Sequence, residues 1–532
     1  MKERDGMGRN LFLYATTFIC GMTVMAVELS ASRLMAPYYG SSMITWTVLI
    51  GLVMLALSLG NVLGGRLADR PGTEDTLFKL IWVASLWIAL IPLVGRYVIT
   101  GSFFLLALVF PDSLLLAGTI FSCLTIFGVP CLLLGATTPC LVKLCLPDLD
   151  RTGRVAGELY ALSTVGSIIG TFVPTFLTIP LLGTARTFLL FAVVLNLIAD
   201  VHFLSRAVGR PRLAAVTLLL VGLLLAPLPT SFAFWKDPLF EGESLYNYLQ
   251  VARTAGGGLA LSTHVEIGHQ SVFYPHHELS SSYWEYALAA ALLRPGFARG
   301  QPWHGLILGF GAGTFARQAR HFLPGATLTG VEIDGAIVQV GHRFFDLATE
   351  AARVVIDDAR AFLRRPDPAR YDVVLLDAFQ DVTVPFHLAT REFFAEVAAR
   401  MAADGVLVAN VNLRFEGRDG LLAHLAQTMR TVFPCVRRFD VPGNMNSLLF
   451  ATRHPDAWEA FRAHVEAWPR DHALAPLLRE VRALAVEQPP GPLVLTDDRA
   501  PVEFLTQEIL DALVRDGLRE LLVRLFAALA RS

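Results

Sequence analysis

The amino-acid sequence predicts a multi-pass α-helical membrane bundle fused to an α/β domain with a doubly wound, Rossmann-like sheet. Two observations carry this. The 532-residue chain is 54% hydrophobic and only 17% charged, against about 25% charged in ordinary soluble domains, and the deficit is confined to residues 11–229. Beyond 235 the composition is ordinary, and short apolar strands alternate with helical stretches, most of the strands ending in an acid or a glycine turn. The expected domains are a bundle over 1–234, a small β-hairpin unit over 235–295 and a Rossmann-like domain over 296–532.

In the first part, a bilayer core of about 20 apolar residues per helix gives seven spans: 11–36, 43–65, 79–99, 115–142, 156–181, 186–205 and 213–232. The first is too long and lacks the small-residue cleavage site of a signal peptide. The stretch 101–112 is apolar but short, and reads as a re-entrant piece or part of a further span. Basic residues fall in alternate loops (Arg9, Arg66, Arg70, Lys143, Arg154, Arg206, Arg212), so the positive-inside rule puts the N-terminus and those loops in the cytoplasm. Seven crossings leave the C-terminal domain outside. Glu28 lies within the first span, where a carboxylate is costly. It is either a cation contact or a packed carboxyl that specifies the bundle. The run from Gly64 to Arg70 resembles the loop after the second helix of major facilitator transporters, and a cytoplasmic charge clamp explains it equally well. A net charge of −2 gives no electrostatic footprint for nucleic acid. Five of the six cysteines lie in or beside apolar spans with no Cys-x-x-Cys pair, so neither zinc nor a disulfide framework is expected.

In the second part, 244–251 and 259–263 read as strands around the turn Gly256-Gly257-Gly258, and 283–293 as a helix. Strands follow at 305–308, 327–331, 354–356, 371–376 and 405–411. A doubly wound sheet binds its ligand at the carboxyl ends of its strands, and the chemistry is concentrated there. Gly309-Phe310-Gly311-Ala312-Gly313-Thr314 follows the first strand of the sheet, where a glycine turn lets backbone approach a ligand. Glu332 ends the next strand, placed to take both ribose hydroxyls. Asp358 ends the third, placed to read an adenine amino group. The glycines run Gly-x-Gly-x-Gly, one place short of the dinucleotide fingerprint, so an adenosyl-sulfonium ligand is expected rather than a nicotinamide. Asp377 ends the fourth strand, either as a helix cap or as a functional carboxylate facing the same crevice.

These residues resemble the spermidine synthases, and the whole chain resembles their membrane-fused bacterial members. The resemblance rests on Tyr246-Asn247, Gly268-His269-Gln270, Tyr283-Trp284-Glu285, Val331-Glu332-Ile333-Asp334, Asp358-Ala359-Arg360, Asp377-Ala378-Phe379-Gln380-Asp381 with Pro385, and the late run from Thr496 to Glu503. It implies a class I S-adenosylmethionine-dependent methyltransferase-type fold. It also implies aminopropyl transfer from decarboxylated S-adenosylmethionine to a polyamine such as putrescine, giving a spermidine-type product and methylthioadenosine without a metal. Asp377 would accept the proton of the attacking amine, and Tyr283 would position that amine. Trp284 and Asp381 would join them at the acceptor. Asn247, Gln270, Gly309, Gly311, Gly313, Glu332, Asp358, Ala359 and Pro385 would hold the donor. The resemblance further implies a homodimer and a multi-pass place in the bacterial inner membrane, with donor supply favouring a cytoplasmic catalytic domain.

Several positions depart from that pattern. Ala312 stands where the family has an aspartate at the acceptor's far amine, Trp284 where it has histidine, Gln380 where it has a second aspartate and Asn247 where it has glutamine. The donor side is therefore better kept than the acceptor side. The alternatives are a methyltransferase acting on a membrane-associated acceptor, and a polyamine transporter or sensor whose soluble domain binds without turnover.

Overall fold

In a computed structural model the described residues are 2–107, 109–110, 113–146, 152–205, 210–226, 238–264, 269–276, 279–280, 282–347, 352–378, 384–412 and 420–506. They form two compact units that divide at residue 235.

Among the described residues of the first unit the regular structure is helical. Six helices are long and apolar enough to cross a membrane: α1 (Gly8–Tyr39), α2 (Met43–Ala68), α3 (Thr73–Phe103), α4 (Leu114–Cys145), α5 (Thr152–Leu182) and α6 (Thr184–Ser205). The shortest has 22 residues, about 33 Å at 1.5 Å per residue, against a hydrocarbon core of about 30 Å. The seventh expected stretch is a helix, α7 (Arg210–Leu225), of 16 residues, about 24 Å long. Residues 227–232 of that stretch lie outside the described residues. The apolar residues after 101 continue the third helix, which stays helical to Ala107, in place of the re-entrant piece expected there.

Small residues decide how this unit packs. A Cβ on Gly60 or Gly64 of α2 would lie 2.2 Å from the carbonyl oxygen of Leu132 or Ala136 on α4. Gly166 and Gly170 of α5 meet α1 in the same way, 2.2 Å from Phe18 O and 2.0 Å from Met22 O. Both pairs have small-xxx-small spacing, which lets helix backbones touch where lipid supplies no hydrophobic drive. Gly64 is therefore a packing residue. The charge clamp expected beside it is present as an exposed pair, Asp69 to Lys143 at 3.9 Å, worth at most about 1 kcal/mol. Glu28 is buried on α1.

The second unit contains two sheets. The smaller is antiparallel, in the order β1 (Phe240–Glu243), β2 (Tyr248–Arg253), β3 (Leu259–Ser262), β4 (Ser271–Phe273). The strand expected over 244–251 starts at Tyr248 instead. Ser244 closes a turn, its Oγ accepting from the backbone N–H of Tyr246 at 3.1 Å and of Asn247 at 2.9 Å, and this leaves Asn247 on the turn. The helix expected over 283–293 is two short helices, α8 (Tyr283–Ala287) and α9 (Ala289–Leu292).

The larger sheet has eight strands: β5 (Trp303–Leu308), β6 (Ala326–Glu332), β7 (Arg353–Ile356), β8 (Tyr371–Leu376), β9 (Met401–Val411), β10 (Cys435–Asp440), β11 (Ser447–Thr452) and β12 (Val486–Glu487). Their order is β12-β10-β11-β9-β8-β5-β6-β7. β5 through β9 pair in parallel, whereas β10, β11 and β12 are antiparallel. The strand side chains alternate between two cores. Leu306, Leu308, Val374 and Leu376 pack on one face with α12 (Ala359–Arg364), α13 (Arg391–Ala399) and α14 (Leu421–Arg430). Ile307, Val373 and Leu375 pack on the other with α8, α9 and α10 (Thr314–Phe322). Apolar burial on both faces is what near-continuous Val/Leu/Ile strands require.

Candidate active site

β5 is flanked by β6 on one side and β8 on the other. The chain leaves β5 toward one neighbour and returns to the other, so a crevice opens at the carboxyl ends of β5 and β8, the switch point of the sheet. It encloses about 890 Å³ including its open mouth.

Gly309 makes this junction possible. Its φ is +88°, and a Cβ would lie 2.3 Å from Asp377 O and 2.5 Å from the backbone of Ala378. No other residue lets the ends of β5 and β8 touch there. Two residues on, the N–H of Gly311 donates to Glu332 Oε2 at 2.8 Å, and the N–H of Asp334 donates to Glu332 Oε1 at 3.1 Å. These amides favour the anion, but burial outweighs them and pushes the Glu332 carboxyl up from its ordinary value. Asn247 lines the crevice and is tied to Asp334: its Nδ2 donates to Asp334 Oδ2 at 2.9 Å, while Asp334 Oδ1 caps α11 (Gly335–Phe344) by accepting from Ala336 N at 3.0 Å. Gln270 donates through Nε2 to Thr263 Oγ1 at 3.3 Å. Asp358 both caps α12 and lines the crevice. Its Oδ1 accepts from Ala361 N at 2.8 Å, and its Oδ2 is 3.2 Å from His387 Nε2.

Asp377 sits at the end of β8, half-buried, with its N–H donating to Leu308 O at 2.8 Å. Asn410 Nδ2 donates to its Oδ1 at 2.8 Å, and the Tyr283 hydroxyl donates to its Oδ2 at 2.9 Å. Burial pushes its carboxyl up to about 7. Hydrogen bonds from Asn410, Tyr283 and Trp284 hold the rise back, and the charge of Glu332 adds to it. Burial, Asp377 and Glu285 together push the Tyr283 hydroxyl well above its ordinary range, so it stays a donor. A carboxylate poised near neutrality in a crevice suits proton transfer.

The expected residues Asn247, Gln270, Gly309, Gly311 and Glu332 line this crevice, and Asp358, Ala359, Asp377 and Pro385 complete it. Gly313 does not line it. It precedes α10 with φ +89°, and a Cβ would strike Leu347 at 2.8 Å, so it serves packing. Trp284 also stands back from the crevice: it is 4% exposed, its ring 4.2 Å from that of Tyr283. Asp381 lies outside the described residues. Ala312 is buried, and its N–H donates to Ser271 Oγ at 2.8 Å.

Sequence reasoning missed Thr263, His387 and Asn410. Asn410 carried a signal, as the one amide in the apolar run of β9. The late run from Thr496 also finds a structural role. Arg360 Nη1 and Nη2 bond the two carboxylate oxygens of Asp497 at 2.7 Å, Arg360 Nη1 also bonds His387 O at 3.1 Å, and Thr390 Oγ1 donates to Asp497 at 2.7 Å. The Arg360 guanidinium holds the Asp497 carboxyl down to about 2. The run thus clamps the segment that carries His387 beside Asp358.

Against known proteins, residues 293–442 match the spermine/spermidine synthase domain. A probable polyamine aminopropyl transferase of Bifidobacterium longum is 35% identical over 304 residues, 54% of this chain and 66% of that protein. The chain thus spans about two thirds of that relative's length. A polyamine aminopropyltransferase of Vibrio vulnificus is 31% identical over 235 residues, 42% of this chain and 75% of that protein. Among solved structures, a probable spermidine synthase from Corynebacterium glutamicum is 20% identical with a TM-score of 0.38, covering 51% of this chain and 93% of its own.

Proposed function

We propose that this chain, which belongs to the polyamine aminopropyltransferase family, transfers an aminopropyl group from decarboxylated S-adenosylmethionine to a polyamine amine. The observation that carries the reading is Asp377, a carboxylate raised to about 7 at the switch point and aimed by Tyr283 and Asn410. A primary amine has a pKa near 10 and arrives as an ammonium. Asp377 attracts that cation and accepts its proton. The freed nitrogen lone pair attacks the methylene carbon next to the sulfonium. The C–N bond forms as the C–S bond breaks, and the bonding pair returns to sulfur to give neutral methylthioadenosine. Raising the base toward neutrality narrows the gap to the amine and eases the transfer.

In this reading Glu332 accepts from the ribose hydroxyls, Asp358 accepts from the base amino group, and Asn247, Gln270, Gly309, Gly311, Ala359 and Pro385 form the walls around the donor. Tyr283 acts on the amine through Asp377, which it holds by hydrogen bond. Trp284 supports Asp377 from within the core rather than touching the acceptor. With Ala312 at the acceptor side, an amine is favoured whose far end needs no carboxylate there. The six long helices are read as crossings of a bacterial inner membrane. An even number of crossings returns the chain to its starting side, which the basic loops mark as cytoplasmic and where the donor is made. In this reading α7, with 16 residues, does not cross, and the conflict of seven crossings does not arise. A homodimer is the family's expectation.

The test is to incubate purified full-length protein with decarboxylated S-adenosylmethionine, and separately with S-adenosylmethionine, in the presence of putrescine and other polyamine acceptors, and to separate the products. Methylthioadenosine together with a spermidine-type amine is expected. S-adenosylhomocysteine from S-adenosylmethionine, with no methylthioadenosine under either donor, would overturn the reading. A C-terminal reporter fusion tests the side of the membrane, with a cytoplasmic signal expected.

A further inference from the structure

We propose that Asn410, Asn412 and Asn446 form an amide relay that sets the proton affinity of Asp377, with Asn410 and Asn446 acting as positioning residues for that base. The inference rests on the reading of Asp377 as the proton acceptor.

Asn410 lies near the end of β9 and is fully buried. Its Nδ2 donates twice, to Asp377 Oδ1 at 2.8 Å and to Asn412 Oδ1 at 2.7 Å. Its Oδ1 accepts from Asn446 Nδ2 at 2.8 Å, and the same Asn446 nitrogen donates to Asn412 Oδ1 at 3.1 Å. A carboxamide has two unlike ends. Turned over, Asn410 would set its oxygen against two acceptors, Asp377 Oδ1 and Asn412 Oδ1, and its NH₂ against the NH₂ of Asn446. Every one of its contacts would become repulsive. The Asp377 carboxylate thus selects the donating end of Asn410, and the contacts to Asn412 and Asn446 hold it there.

A donor on a carboxylate favours its charged form. Burial alone would leave Asp377 protonated further up the pH scale, and the relay opposes that. The other groups facing Asp377 come from two elements. Tyr283 and Trp284 of α8 donate to it, and Glu332 at the end of β6 repels its charge. Glu285 of α8 acts on Tyr283. The relay is the contribution that reaches outward: Asn446 is half-buried on the turn between β10 and β11, next to Ser447. The antiparallel end of the sheet is thereby tied to the chemistry at its centre.

The experiment is the pH profile of kcat/KM for methylthioadenosine formation by the full-length protein. Asn410→Ala should move the acid limb upward by about one to two pH units, the loss of one hydrogen bond to a charged group. Asn446→Ala leaves the core intact and should move the limb upward by roughly half to one unit, with activity at pH 9 within a few-fold of wild type. Asn444→Ala lies on the same turn, but among the described residues its Oδ1 accepts from Met445 N alone, and it should leave the limb in place. Limbs of Asn410→Ala and Asn446→Ala that coincide with wild type would overturn the relay while the activity stands. Equal shifts in Asn444→Ala and Asn446→Ala would also overturn it, because loosening of the turn would then account for the effect. A wild-type protein that forms no methylthioadenosine would instead remove the premise.

Discussion

Glu332 and Asp377 are two carboxylates at strand ends in one crevice, both pushed up by burial, yet they are held in different ways. Glu332 is held by backbone, the N–H groups of Gly311 and Asp334. Asp377 is held by side chains from two other elements, Tyr283 of α8 and Asn410 of β9. Backbone amides have no rotamers and do not titrate, so they fix a carboxylate as a steady acceptor, which suits ribose hydroxyls. Side-chain donors can be exchanged one at a time, which suits a group whose proton affinity has to be matched to a reaction. In the proposed reading the same residue chemistry serves binding in one place and proton transfer in the other because of what surrounds it.

The comparison breaks most visibly at Asp377. Asp377→Asn should lower turnover by about a thousandfold or more while methylthioadenosine still binds within a few-fold of wild type by calorimetry. Equal losses in binding and turnover would make Asp377 a donor-site residue like Glu332. Glu332→Gln should do the reverse, raising the donor KM by about 10- to 100-fold through one weakened charge-assisted hydrogen bond, with kcat little changed.

The pH dependence sharpens the contrast further. Below about 7 the Asp377 carboxyl holds its own proton and cannot accept another. The kcat/KM profile should therefore rise through that pH and level above it. The effect on stability runs the other way. With a folded value of about 7 against an ordinary 3.8, the folded state binds the extra proton between those values. This stabilisation is present at the acid end and is lost as pH rises through about 7. Melting temperatures of Asp377→Asn followed across that window should depend less on pH than those of wild type.

Smaller effects are expected farther out. Tyr283→Phe removes one of the donors on Asp377 and should cost about tenfold in turnover, with the acid limb moved up by about one unit. Asp497→Ala touches neither carboxylate. It should lower stability by about 1–2 kcal/mol, since Arg360 is buried but Asp497 is 40% exposed and its charge is screened. It should also raise the donor KM only a few-fold, through the segment that carries His387.

Much of this was legible because strand ends are marked in the sequence. Glu332, Asp358 and Asp377 each follow an apolar run, and the sheet brings all three to one crevice. The bundle was legible from apolar run length, although its tight contacts were not: Gly60, Gly64, Gly166 and Gly170 matter because of the carbonyls they face on another helix. The same holds for Gly313 and Trp284, whose place in a motif suggested ligand contact and whose neighbours, Leu347 and Tyr283, make them packing residues. Asn446 could not be found at all, because its partners are 34 and 36 residues away along the chain.

Local chemistry determined what the sequence by itself could tell: a membrane half set by hydropathy, a doubly wound half set by the alternation of strand and helix, and a donor site whose acids sit where strands stop. Only the tertiary structure decided what surrounds those acids. Burial and hydrogen-bond partners come from segments distant in sequence, and they alone determine whether a carboxylate at a strand end remains a fixed acceptor or becomes a base poised near neutrality.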